Sequence, residues 1–190
     1  GSVDFIKSEY PWVRALELDK NYGFAKANNV GVENANGEYI VFLNNDIVVS
    51  PDWLNKLMDV MEKDRDIGVA GSKLLFLDTP GKIDSAGGDI VFNGRGYDIG
   101  FLDDDAEKYN IAGSRGCVCA AAMMVRREEF LAFGGFDEDY FMYFEDVDLC
   151  WRYWLYGKKV MYAPLSVVYH KYGGISGKFR HAPLRVFYGT

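Results

Sequence analysis

Residues Tyr39-Ile40-Val41-Phe42-Leu43 form an unbroken apolar run that stops abruptly at Asn44-Asn45-Asp46. A short run without alternation suits a strand covered on both faces, and such strands sit in sheets with helices on either side. Upstream, Asn21 to Gly31 reads as a loop opening into a helix that lasts to about Asn34, and Asn36-Gly37 supplies the turn into the run. Downstream, Ser50-Pro51-Asp52 starts a helix, with Ser50 as N-cap and Pro51 at the first helical position. Trp53, Leu54, Leu57, Met58 and Met61 give that helix one apolar stripe. Strands alternating with helices imply an α/β fold with a mostly parallel sheet flanked by helices.

The rest of the chain extends this pattern. Val3 to Glu9 reads as the end of a helix closed by Pro11, and the alternation of Val13 to Leu18 reads as a strand. Ile67 to Leu77 is strand-like, interrupted by Gly71. Asp78 to Tyr109 is rich in Gly and Asp and reads as loops and hairpins with short β pieces such as Asp89 to Phe92. Gly116 to Val125 is again strand-like, and Arg127 to Phe133 is a short helix ended by Gly134-Gly135. Phe144 to Tyr156 is a helix ended by Gly157; Lys159 to Tyr162 and Ser166 to Tyr169 are short strands; Gly173 to Thr190 has no clear element. With no internal repeat and no low-complexity linker, residues 1–190 read as a single domain.

The net charge of −7 comes without any long basic run. Nucleic acid is therefore not expected as a partner, because phosphate neutralisation needs clustered Lys and Arg. A small phosphorylated ligand remains compatible, since one metal ion can supply the positive charge. Cys117, Cys119 and Cys150 are an odd number of thiols among apolar neighbours, which suits reduced, buried cysteines. Cys117-Val118-Cys119 lacks the second pair that a zinc site needs. No apolar run reaches the ~18 residues that span a bilayer, and no secretory signal is visible. The expected location is cytoplasmic.

Three segments carry possible chemistry. In open α/β sheets ligands bind beyond the carboxyl ends of the strands, which is where Asn44-Asn45-Asp46 falls. A carboxylate there can hold a hard divalent cation that bridges a diphosphate; Asn and Asp also serve as plain turn residues. The second segment runs from Gly134 to Arg152 and contains Glu145, Asp146 and Asp148. Asp148 and Arg152 lie four apart and can pair on a helix surface. Glu145 and Asp146 fall in the first helical turn, where acids complement the helix dipole or present a general base to a cleft. Successive helical residues point about 100° apart, so the two cannot share one role. The third segment ends in His170, which is either structural or, with a distant Asp, part of a small metal site. His181 carries no assigned role.

Taken together, these segments resemble glycosyltransferase family 2, most closely its rhamnosyltransferase-like branch that builds surface polysaccharides. The matching stretches are Asn21 to Gly31, Gly37 to Asp46, Arg126-Arg127-Glu128, Gly134 to Arg152 and Gly157 to His170, with Gly173 and Ser176 beyond. The resemblance implies the GT-A fold and an inverting transfer from a nucleotide-sugar donor to a saccharide or lipid-linked saccharide. It implies Asp46 as the metal ligand at a variant Asp-x-Asp site, His170 as the residue completing it, and Mn2+ or Mg2+ as cofactor. Asn44 cannot supply a charge at the first position of that site, so a modest metal affinity is expected. By the same resemblance Asp146 is the general base and Glu145 orients the acceptor or supports the base. Asn21, Gly23, Lys26, Asn29, Asn45 and Asp46 lie near the donor. The family's opening strand, ending Thr-Tyr-Asn, has no counterpart here, and the C-terminal family segment stops near Tyr188. The chain is therefore expected to be a fragment whose exposed sheet edges favour self-association and whose own activity is in question. Peripheral association with the inner face of a membrane fits a lipid-linked acceptor.

Two other functions fit parts of the pattern. A sugar-phosphate nucleotidyltransferase also uses an α/β sheet and a metal, and would release pyrophosphate. A non-catalytic saccharide-binding module would use the many Trp and Tyr residues, and would bind oligosaccharide without nucleotide or metal.

Overall fold

The computed structural model describes residues 1–92 and 96–171. In chain order the elements are α1 (Ser2–Glu9), α2 (Gly23–Glu33), β1 (Tyr39–Leu43), β2 (Ile47–Val49), α3 (Trp53–Met61), β3 (Ile67–Phe76), β4 (Ile83–Ser85), β5 (Gly88–Ile90), β6 (Gly96–Asp98), a 3-10 turn (Glu107–Asn110), β7 (Gly113–Ser114), β8 (Ala122–Arg126), α4 (Arg127–Ala132), α5 (Glu145–Leu155) and β9 (Lys159–His170). Gly173, Ser176, His181 and Tyr188 lie outside the described residues.

The main sheet has the order β1-β8-β3-β9-β2, with β4 added to β3 and β7 to β9, while β5 and β6 form a separate hairpin. The expectation of a mostly parallel sheet needs correction, because the sheet is mixed. Among the described strands only β3 and β9 pair in parallel; β8 runs antiparallel to both β1 and β3. Apolar runs report burial, not direction, so the inserted reverse strand left no mark in the sequence. The consequence for function is small. β1, β3 and β9 all run the same way, so their carboxyl ends meet at one end of the sheet.

Helices cover both faces. On one side Phe42 packs against Phe130 and Phe136, with ring centroids 5.2 and 4.8 Å away, in a core shared with Val69, Leu149 and Tyr153. On the other, the α3 stripe of Leu57, Val60 and Met61 packs on Ala70 and Met124. Each such side chain contributes about 1.5–3 kcal/mol when fully buried. Strand β3 is buried along its whole length, as its central position requires.

Several local expectations are revised. Val13 to Leu18 is not a strand: no described strand runs beside it, and alternation without a ladder partner leaves Val13 and Leu16 exposed. Arg14 instead reaches the backbone and side-chain oxygens of Asn34, both at 3.0 Å. Helix α3 begins two residues later than expected, and Ser50 Oγ donates to the Val167 carbonyl at 2.8 Å rather than capping it. The strand after Gly116 is confined to β8. The two short strands of the last segment are one, β9, whose pairing with β3 jumps from Ser72↔Ala163 to Lys73↔Val167. Pro164 lies in that bulge, where a missing N–H is tolerated.

Candidate active site

The turn after β1 is stitched to the end of β9. Asn44 N–H donates to the Ala121 carbonyl at 3.0 Å, Lys171 N–H donates to the Asp46 carbonyl at 2.9 Å, and Ile47 pairs with His170. This pairing sets Asp46 beside His170, with Oδ1 3.4 Å from Nε2. That Oδ1 is buried and accepts no hydrogen bond from the described residues. On the other side of the ring, His170 Nδ1 lies 2.6 Å from Oδ2 of Asp84, on β4. Burial works to lower the pKa of His170, but the Asp84 and then the Asp46 carboxylate outweigh it, and the net displacement is upward. Asp84 was not singled out from the sequence; a single Asp inside the Gly- and Asp-rich excursion gives no spacing signal.

The residues fit a hard divalent ion as a pair, not as a complete cage. Among the described residues no group of three or more His, Cys, Asp or Glu side chains is arranged to hold one. A buried carboxylate oxygen without a partner, facing an imidazole nitrogen, is nonetheless an oxygen–nitrogen set suited to Mn2+ or Mg2+. Such ions characteristically take their remaining positions from water and substrate phosphates.

The second half of the site is the start of α5. The chain enters it through Tyr143 and Phe144, both left-handed at φ 75° and 69°. Non-glycine residues in that region cost roughly 1–3 kcal/mol each and collect at functional sites. The tight entry buries Glu145, whose Oε2 has no hydrogen-bond partner among the described residues. Asp146 is half-buried: Oδ2 accepts from Ala120 N–H at 3.0 Å and Oδ1 from Val147 N–H at 2.9 Å. Burial raises both carboxyls, and the charge of Asp146 raises Glu145 further. The two neighbours therefore have different surroundings, as their helical spacing requires. Asp148 turns away and pairs with Arg152 at 2.7 Å, as expected. The same guanidinium donates to the carbonyls of Phe133 and Gly135, both at 2.7 Å.

One segment, residues 119–122, links the halves: Ala121 accepts from the Asn44 turn and Ala120 donates to Asp146. Asp98, on β6, joins them from the hairpin. Its side chain reaches solvent, yet crowding by protein first, then the charges of Asp84 and Asp146, push its carboxyl up to about 6 against a Ser85 hydrogen bond. Cys119 sits among Asp146, Asp98 and Asp84; burial first, and then those charges, hold its thiol well above the ordinary range. Burial likewise pushes Cys117 up to about 12. These thiols are neutral, which agrees with the structural role expected of them.

The residues assigned to the donor divide into two groups. Asn45 is exposed at the tip of the turn beside Asp46. Asn21, Gly23, Lys26 and Asn29 engage the protein itself. Asn21 Oδ1 accepts from Gly23 N–H at 2.9 Å, Lys26 pairs with Glu138 at 3.0 Å, and the Asn29 amide both donates to and accepts from the Phe136 backbone, at 2.8 and 2.9 Å. Gly23 has φ +82°, and a Cβ there would lie 2.1 Å from the Phe141 carbonyl oxygen. That carbonyl accepts from Phe24 N–H at 2.7 Å. Helix α2 is thus latched to the loop that leads into Glu145 and Asp146.

Comparison with known proteins identifies the family and the fold. The profile of Glycosyl transferase family 2 matches residues 2–131. The chain is 30% identical over 169 residues to the O-antigen biosynthesis protein RfbC of Myxococcus xanthus, covering 85% of this chain and 13% of that protein. It is 31% identical over 166 residues to the rhamnosyltransferase WbbL of Escherichia coli, covering 78% of this chain and 61% of that one. The chain thus spans only part of the relatives it matches. Its fold superposes on GalNAc-T7, solved with UDP, GalNAc and Mn2+, with a TM-score of 0.69 at 16% identity over 89% of this chain and 34% of that one. The fold is GT-A, and the chain belongs to glycosyl transferase family 2.

Proposed function

We propose that this chain carries the catalytic centre of an inverting glycosyltransferase, which moves a sugar from a nucleoside-diphosphate donor to a hydroxyl of a saccharide or lipid-linked saccharide. The observation that carries the reading is the buried Oδ1 of Asp46, which accepts no hydrogen bond from the described residues and faces His170 Nε2 at 3.4 Å, at the end of the sheet where Asp146 is held. Asp46 and His170 would hold the divalent ion, and Asn45 would border the donor. The chemistry such an ion supplies is stabilisation of the negative charge building on the departing diphosphate. GalNAc-T7, which shares the fold, was solved with Mn2+ and UDP, and this supports the choice of metal and ligand class.

Asp146 takes the proton from the acceptor hydroxyl as that oxygen attacks the anomeric carbon and the bond to the diphosphate breaks. One displacement inverts the configuration, and one base is enough. Burial raises its affinity for protons, which favours its acting as a base. Ala120 and Val147 fix the orientation of the carboxylate through their N–H groups. Glu145, buried behind it, supports the base rather than touching the acceptor. Asn21, Gly23, Lys26 and Asn29 act one step further back, by holding the loop from Phe136 to Phe141. WbbL is a rhamnosyltransferase and RfbC an O-antigen biosynthesis protein, which makes a rhamnose donor and a surface-polysaccharide acceptor the first pair to test.

The test is a panel of nucleotide sugars, a rhamnose donor included, assayed with Mn2+ or Mg2+ for released nucleoside diphosphate and for the anomer formed. Nucleoside diphosphate with an inverted product is the expected result. Release of pyrophosphate would identify nucleotidyl transfer instead. Saccharide binding with neither nucleotide nor metal, and no turnover, would identify a binding module.

A further inference from the structure

Asp84 lies outside the short stretches that carry the family resemblance in the sequence, yet it makes the 2.6 Å contact to His170 Nδ1. It is buried, at 7% exposure, and a carboxylate is costly to bury without a charged or hydrogen-bonding partner. Its place is set by the sheet. β9 takes one edge of β3 along its length, and β8 and β4 share the other. A register shift between Leu74 and Leu75 separates the pairings Leu74↔Ser85 and Leu75↔Ile83. Ile83, the preceding residue, is fully buried in a core with Leu75, Tyr109 and Tyr162. Asp84 is the extra residue of the bulge at that shift, and its carboxylate is aimed at His170 rather than into the Ile83 core. A carboxylate mounted on a packed strand holds a ring more narrowly than one on a loop.

We propose that Asp84 is the positioning residue that makes His170 a metal ligand. Its Oδ2 accepts the Nδ1 proton, which fixes the tautomer and ring orientation and leaves Nε2 to offer its lone pair to the space shared with Asp46. A carboxylate behind a ligating imidazole also makes the ligand more basic, and such groups are typically worth ~10–100-fold in metal affinity. The proposal rests on the reading of Asp46 and His170 as the metal pair.

The experiment titrates Mn2+ into the protein and follows the electron paramagnetic resonance signal of the free ion, for the unsubstituted chain, Asp84→Asn, His170→Ala and the double variant. Spin-echo modulation from a coordinated 14N is recorded on each. Asp84→Asn is expected to weaken Mn2+ by ~10–100-fold and to diminish the nitrogen modulation, with an unchanged circular dichroism spectrum. In the His170→Ala background the same substitution should have no further effect. Unchanged affinity in Asp84→Asn would overturn the proposal, and so would an equal loss with and without His170, because Asp84 would then act independently of the ring. A second measurement needs no variant: 15N shifts of His170, at a pH high enough to leave the ring neutral, should report a protonated Nδ1. A protonated Nε2 would overturn the assignment by itself. Asp46→Asn and His170→Ala test the underlying reading separately. If both bind Mn2+ like the unsubstituted protein, the metal pair itself is wrong, whatever Asp84 does.

Discussion

The two ends of the sheet treat charge differently. Where β8 ends and β3 begins, bases and acids are interleaved. The buried Arg126 donates to the carbonyls of Ile67 and Met61, closing the end of α3, and Lys158 pairs with Glu129 at 2.7 Å. An open depression of about 380 Å3 at that end is lined by Glu38, Glu128 and Glu129 against Arg65, Arg126 and Arg127. At the carboxyl ends of β1, β3 and β9, by contrast, Asp46, Asp84, Asp98 and Asp146 collect with the His170 imidazole set among them. Acids gathered in this way favour a cation. The depression is lined by matched charge. The acidic end carries carboxylates in excess of its positive charge, and that imbalance is the reason it is proposed as the site.

The sharpest way to break this contrast is at Asp146. Asp146→Asn keeps the size of the side chain and removes the base, so turnover should fall by ~10²–10⁴-fold while binding of a nucleoside diphosphate with Mn2+ changes little. Steady-state rates and a binding titration on one preparation check both halves. Near-normal turnover would leave the acidic end without its catalytic role. Asp148→Asn, whose parent pairs with Arg152, is the matched control and should retain transfer.

Asp46→Asn comes next. It removes the carboxylate charge and replaces one of its oxygens with an amide nitrogen, and metal-dependent nucleotide binding should weaken by at least the ~10–100-fold that even a supporting group is worth. Titration with Mn2+ held at a fixed level measures it. Unchanged affinity with an intact fold would place the cation elsewhere.

Gly23→Ala tests the latch rather than the charge. The added methyl meets the Phe141 carbonyl oxygen in a left-handed conformation that Ala disfavours. A cost of roughly 1–3 kcal/mol is expected, seen as a melting temperature lower by about 2–4 °C for each kcal/mol. Transfer should fall along with it, because the same loop delivers Asp146. An unchanged melting temperature would mean that the loop is not held by α2.

What was legible in the sequence follows the same division. Asn44-Asn45-Asp46, His170 and Glu145-Asp146 each stand at the end of an element, which local pattern shows; the roles assigned to them came from the family resemblance. The Asp148–Arg152 pair is four residues apart and was equally plain. Contacts made across the chain were not. Asp84 and His170 are 86 residues apart and meet over β3; Asn29 and Phe136 are 107 apart. Both depend on strand order and register, which hydrophobic runs do not encode. The resemblance puts Asn21, Gly23, Lys26 and Asn29 near the donor; what the sequence did not show is their engagement with their own loop and the segment that leads to Asp146. The direction of β8 was hidden for the same reason, since a buried strand looks alike in either orientation.

A further effect is expected on stability, at Glu145, and it tests whether the acidic end is strained. Burial first, and then the Asp146 charge, raise the Glu145 carboxyl above its unfolded value. A raised acid binds its proton more tightly folded than unfolded. Its favourable contribution is therefore complete below the unfolded value of about 4.3 and is lost progressively as the pH climbs through the folded one. Glu145→Gln replaces the group with a neutral one of the same shape and removes that loss, while Asp146 is present in both proteins. The variant should match the parent near pH 4, apart from any constant packing term, and gain on it as the pH rises to 8. The gap should widen by roughly 2–4 °C for each kcal/mol released. Thermal midpoints of the two proteins across that range measure it. A variant that loses ground with rising pH would mean that Glu145 is ionised and paired in the folded protein, and that the acidic end already holds the positive charge it was argued to lack.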